Sequence, residues 1–206
     1  MPQEESLPVD FDSNLKEKLF EVTFLSLLEN CGYRVVPVGI EHSLRELGAL
    51  SPSNPEMHAR LVRSIRKLPS FIVMDAASKT YEPRFVAVKV RGNSLFDDDF
   101  RQLLDQANTW TRVHFVLFLA TPVKTSSKFN TVDFCRVFTL ERHVGLNQAA
   151  VVNVVSRNGA KKDLENLHWL DGISLDEAFP MLKKGSEKNN IRTAISMMCS
   201  IFTAID

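Results

Sequence analysis

Lys89 stands inside the apolar run Phe85-Val86-Ala87-Val88-Lys89-Val90. On a strand, side-chain alternation puts Lys89 on one face with Ala87 and Phe85, while Val86, Val88 and Val90 point the other way. An ammonium in that setting either runs along apolar surface to water at the sheet edge or faces something it neutralises: an anion, a metal-bound water or a phosphate. From periodicity alone the first option is the default, and the surroundings of the strand decide between them. Other reactive side chains offer less. Cys31, Cys135 and Cys199 are odd in number and far apart, which gives neither a disulfide framework nor a four-ligand zinc site. His42, His58, His114, His143 and His168 lack metal-ligand spacing, and His114 within an apolar run reads as a core histidine with a hydrogen-bond partner. Trp110 and Trp169 read as packing residues. No phosphate-cradling glycine loop, dinucleotide glycine pattern or Ser-His-Asp arrangement is present.

The elements that must position Lys89 follow from periodicity. Asp12 or Ser13 caps a first helix with apolar residues at Leu15, Leu19, Val22, Leu25 and Leu28, which stops at Gly32. Residues 33–38 read as a strand. Helical periodicity is expected over 40–50 and 55–67, on either side of Ser51-Pro52-Ser53-Asn54-Pro55. Phe71 to Met74 and Phe85 to Val90 read as two paired strands, and Asp97 to Asp99 open a helix running to about Thr109. Val113 to Ala120 is apolar except for His114, as expected of a central strand covered on both faces. Further strands are expected over 132–140 and 149–155. Ser174 with Glu177 forms a capping box for a helix over 175–184, and a last helix over 189–204 carries the stripe Ile191, Ile195, Met198 and Phe202, widened by Met197. The fold class is α/β, a mixed central sheet flanked by helices. Residues 1–11 are expected to be a flexible lead-in, 12–145 the core, and 146–206 a C-terminal extension packed on it.

The order and spacing around Lys89 resemble the PD-(D/E)XK, or restriction-endonuclease-like, nuclease superfamily, whose core carries a helical glutamate, a strand opening on Pro-Asp and a strand bearing Glu-x-Lys. Glu21 lies ten residues ahead of Cys31-Gly32-Tyr33-Arg34-Val35. Leu68-Pro69-Ser70-Phe71-Ile72-Val73 resembles the Pro-Asp strand, and Phe85-Val86-Ala87-Val88-Lys89 the Glu-x-Lys strand. The resemblance covers about residues 12 to 120 and implies a restriction-endonuclease-like fold. It makes Glu21, Ser70, Ala87 and Lys89 the positions equivalent to the family's catalytic residues. Some members also place an orienting glutamine on the following helix, where this chain has Gln102 and Gln106.

The departures are chemical. In such nucleases carboxylates and a lysine converge on a divalent cation that activates water against a phosphodiester. Here the aspartate position holds Ser70, and the glutamate position holds Ala87, which has no ligand atom. One carboxylate beside an ammonium is a poor magnesium site, so no metal site and no cofactor are assigned, with Mg²⁺ implied only where an active site survives. A naturally degenerate nuclease fold, a laboratory substitution, and carboxylates migrated to neighbouring positions all remain open. Asp75 is the main candidate for migration, Asp97 to Asp99 could approach Lys89 from the next helix although dipole complementation is the commoner role of such a cluster, and the first explanation is the one adopted.

The chain has 206 residues, 25 basic against 25 acidic, so bulk attraction to nucleic acid or anionic membrane is excluded as a general property. Locally the balance differs. From His58 to Arg91 the basic residues Arg60, Arg63, Arg66, Lys67, Lys79, Arg84, Lys89 and Arg91 face only Asp75 and Glu82. Arg60, Arg63 and Lys67 share one helical face able to track phosphates, with Lys89 and Arg91 beside it. The expectation is therefore a DNA-binding protein, a degenerate or accessory member of the nuclease family. The alternatives are a protein-interaction scaffold subunit without nucleic-acid binding, with a protein partner or a second copy, and an active Mg²⁺-dependent endonuclease. The acidic start MPQEESLPVDFD lacks a signal peptide's pattern, and no segment approaches the roughly 18 uninterrupted apolar residues of a membrane span. With the cysteine usage, this gives the expectation of a cytoplasmic protein with no membrane partner.

Overall fold

The first helix, α1 (Phe11–Asn30), ends where Gly32 takes the left-handed φ of +87° that a side chain resists. The Cys31 and Gly32 N–H groups donate to the Leu28 and Glu29 carbonyls and close the last turn. The computed structural model describes residues 11–38, 68–75, 82–91, 99–121, 130–144, 150–155, 159–162, 168–183 and 187–205. The expected lead-in before Phe11 and the expected helices over 40–50 and 55–67 lie outside these residues.

Among the described residues seven strands form one sheet in chain order: β1 (Tyr33–Pro37), β2 (Phe71–Asp75), β3 (Arg84–Arg91), β4 (Arg112–Leu119), β5 (Cys135–Val144), β6 (Ala150–Val155) and β7 (Lys161–Lys162). Every neighbouring pair is antiparallel except β3 and β4. A parallel pair needs a crossover rather than a hairpin, and α2 (Asp99–Trp110) lies within that connection. The chain beyond residue 145 adds β6 and β7 to the same sheet and then returns as α3 (Leu175–Ala178) and α4 (Glu187–Ile205).

The sheet has a core on each face. Phe20, Phe24 and Leu28 of α1 pack with Val86 and Val88 of β3, Phe118 of β4, and Ile195, Met198 and Phe202 of α4. On the other face Ala87, Phe115, Leu117 and Leu140 pack with Leu103 and Ala107 of α2 and with Trp169. The alternation read in β3 is therefore real: its valines meet α1, while Phe85 and Ala87 meet α2. β4 is covered on both faces, as its continuous apolar run required.

Four expectations need correction. Of the expected α1 residues Leu28 is buried and Leu19 and Leu25 pack against the core, but Leu15 is 36% and Val22 65% exposed, and Phe20, Phe24 and Leu27 complete the buried stripe. This helix is apolar on more than one side, and the aromatic stripe wins because it buries more area. The strand expected over 132–140 begins at Cys135, because Thr131–Asp133 is a 3-10 turn capped by the Asn130 side chain. There the Val132 carbonyl is taken by Arg136 Nε and Trp169 Nε1. The helix expected over 175–184 keeps its capping box but breaks after Ala178. Phe179 precedes Pro180 and leaves the helical region at φ −123° and ψ 83°, the usual consequence of a following proline. Met197 does not widen the buried stripe of α4, since it is 58% exposed.

Candidate functional site

The ladder between β2 and β3 runs from Val73 opposite Arg84 to Phe71 opposite Val86 and stops there. Ser70 closes it with a side chain: the Val88 N–H donates to Ser70 Oγ at 3.2 Å, while the Ser70 carbonyl accepts from Val38 N–H at 3.0 Å. Beyond Val86, β3 has a strand neighbour among the described residues only on its β4 side. By strand alternation Lys89 starts on the Ala87 face, yet its side chain pairs with α1, the helix packed against the valines of β3. Its Nζ meets Glu17 Oε1 at 2.8 Å. The two side chains are 17% and 25% exposed, so the pair is sheltered yet reachable from water.

Ala87 is 2% exposed and packed in the α2-facing cluster with Leu103 and Ala107. It does not line an open chamber. Glu21, one helical turn beyond Glu17, pairs with Lys18 at 2.9 Å. Asp75 ends β2 opposite Tyr33, at the far end of the strand from Ser70. That leaves it roughly 20 Å from Lys89 along the strands, so it is no migrated ligand for this site. Arg91 ends β3, where Nη1 donates to the Val90 carbonyl. Arg60, Arg63, Lys67, Asp97 and Asp98 lie outside the described residues. Gln102 lies on α2, and nothing is described of its side chain.

Gln106 departs from the exposed position that its place on an ordinary helix face would give. It is 3% exposed and its Nε2 donates to the Leu68 carbonyl at 2.8 Å, tying α2 to the chain that leads into Ser70. Its Oε1 is buried with no hydrogen-bond partner among the described residues.

Sequence reasoning missed Glu17. Glu17 and Glu21 sit four residues apart on one helical face, so spacing alone left either able to meet the strand. The choice is made by how α1 lies over β3, which no local pattern carries. The resulting chemistry is narrow. Lys89 can neutralise an anion, and the Glu17 carboxylate already serves as that anion; Ser70 Oγ is engaged by backbone; Ala87 offers no atom. Among the described residues, no group of three His, Cys, Asp or Glu side chains is arranged to hold a metal.

Other reactive groups are explained by packing. His114 Nδ1 meets Thr139 Oγ1 at 3.1 Å, and burial, assisted by Arg112 and Arg84, lowers its pKa to about 4. Burial pushes the Cys199 thiol up to about 11 and the Cys135 thiol higher still, so neither is a thiolate near neutrality. No helix among the described residues is long and apolar enough to cross a membrane.

No protein-family model, curated protein or solved structure matches this chain.

Proposed function

We propose that the chain is a DNA-binding protein on a restriction-endonuclease-like core that has lost cleavage, a degenerate or accessory relative of PD-(D/E)XK nucleases. The observation that carries this reading is one juxtaposition. A helix, an antiparallel β1-β2-β3 meander and a crossover to a parallel β4 follow one another in the order that the resemblance implies. Within that frame Lys89 follows Val88, whose N–H donates to Ser70 where the β2–β3 ladder ends, and its ammonium pairs with Glu17 of α1. An ammonium at a strand opening is suited to a phosphate, and Arg91 follows on the same strand. Retained cleavage by Glu21 and Asp75 is set aside, because Asp75 stands at the other end of β2.

The test is binding of a labelled DNA duplex at increasing salt. The reading expects affinity to fall steeply with salt, and Lys89→Ala to weaken binding and reduce the log-log slope by about one. Incubation with plasmid and Mg²⁺ or Mn²⁺ is expected to give no cleavage beyond that of Lys89→Ala.

A second reading, a protein-interaction scaffold, is favoured by the groove of about 400 Å³ between α1 and α4, where Val22 and Met197 are exposed. Absence of DNA binding at low salt would select it.

A further inference from the structure

Lys89 is the ammonium on which the DNA-binding reading rests, and it is already occupied. Glu17 Oε1 sits 2.8 Å from its Nζ, within the distance of a charge-assisted hydrogen bond, and the two residues are 72 positions apart in the chain. The contact is therefore made by tertiary structure and not by neighbouring residues on one helix. Its exposure is intermediate. A fully buried pair would be permanent and a fully exposed one inconsequential, whereas 17% and 25% leave the carboxylate displaceable by a stronger anion arriving from solvent. Glu17 keeps a quarter of its side chain exposed, so its carboxylate has solvent to turn into. The backbone of Lys89 is fixed by its register with Leu117 on β4, next to Val88, whose N–H is held by Ser70 Oγ.

We propose that Glu17 is an internal competitor for phosphate: its carboxylate masks Lys89 in the unbound protein, and DNA gains that contact only by displacing it. Glu17 thereby sets the affinity of the Lys89 contact without touching DNA. This rests on the DNA-binding reading above, and the test separates the two.

The experiment is a double-mutant cycle on the full chain, with the labelled DNA duplex as probe. Glu17→Gln keeps the size and hydrogen-bonding capacity of the side chain while removing its charge. It is expected to bind DNA about tenfold tighter than the unaltered protein, the size expected for one charge-assisted hydrogen bond. In Glu17→Gln/Lys89→Ala the gain disappears and affinity returns to that of Lys89→Ala alone. A gain that persists without Lys89 means bulk charge and overturns the proposal. Unchanged or weaker binding by Glu17→Gln, with salt-dependent binding intact in the unaltered protein, overturns it while leaving the parent reading. No salt-dependent binding by any variant overturns the parent reading and the mask together. Glu17→Ala and Lys89→Gln repeat the cycle should either first-choice variant lose its circular dichroism.

Discussion

Gln106 and Leu68 are joined at 2.8 Å, the side-chain amide on α2 donating to the backbone carbonyl that leads into β2. The bond links the parallel crossover to the opposite margin of the β2–β3 opening. Gln106→Ala leaves that carbonyl without its donor and opens a small cavity, and is expected to cost about 2 kcal/mol in urea denaturation. Gln106→Met should cost less, because it fills the space and also removes the unpartnered Oε1.

Two backbone positions carry opposite expectations. Gly32 has φ +87°, and a Cβ there would stand 2.9 Å from Met181 Cε. Gly32→Ala should lower stability by about 1–2 kcal/mol. Thr111, between α2 and β4, holds φ +64° despite its branched side chain. Thr111→Gly should therefore raise stability by up to about 1 kcal/mol, the gain of relieving left-handed strain offset by glycine's greater freedom when unfolded. Melting temperatures of the two variants moving in the same direction would contradict this.

His114 makes stability depend on pH. Burial holds its folded pKa at about 4, so below the unfolded value of about 6.5 the unfolded chain binds a proton that the folded chain refuses. Stability from this group is fully present above that unfolded value and is lost as pH falls toward 4. The loss is as much as about 3 kcal/mol. His114→Leu should flatten the stability profile between those limits relative to the unaltered protein, as read by denaturation midpoints across the range.

Restoring the family's acids should not restore an enzyme. Ala87→Glu would put a carboxylate against Leu103 and Ala107 in a closed apolar cluster. It is expected to cost about 3 kcal/mol or more, and the Ser70→Asp/Ala87→Glu double variant to remain without plasmid cleavage in Mg²⁺. Cleavage by that variant, abolished by a chelator, would overturn this expectation.

The strands around Lys89 were legible because their signals are local. Phe71 to Met74 and Phe85 to Val90 alternate or run apolar between turn residues, and Gly32 and the Ser174–Glu177 capping box mark helix ends by their own chemistry. What was not legible depended on how elements lie against each other. Leu15 and Val22 looked as apolar as Phe20 and Phe24, and only the sheet decides which are covered. Glu17 and Glu21 differ by one turn, and only the placement of α1 selects the one that meets Lys89. Gln106 looked like an ordinary helix-surface residue until the chain before Ser70 folded back against it.

Strand order in the sheet equals chain order, so each strand can join its predecessor as soon as it is made. The face packed by α1 is different. Phe118 meets Phe20 at 4.8 Å but also needs Phe202 at 5.3 Å, and Thr23 Oγ1 reaches Met198 Sδ from 175 residues away. During synthesis, the part of that apolar surface that α4 covers stays bare until residues through Phe202 have emerged. The nascent chain thus carries an assembled sheet with one sticky side, a state prone to aggregation and suited to capture by a chaperone.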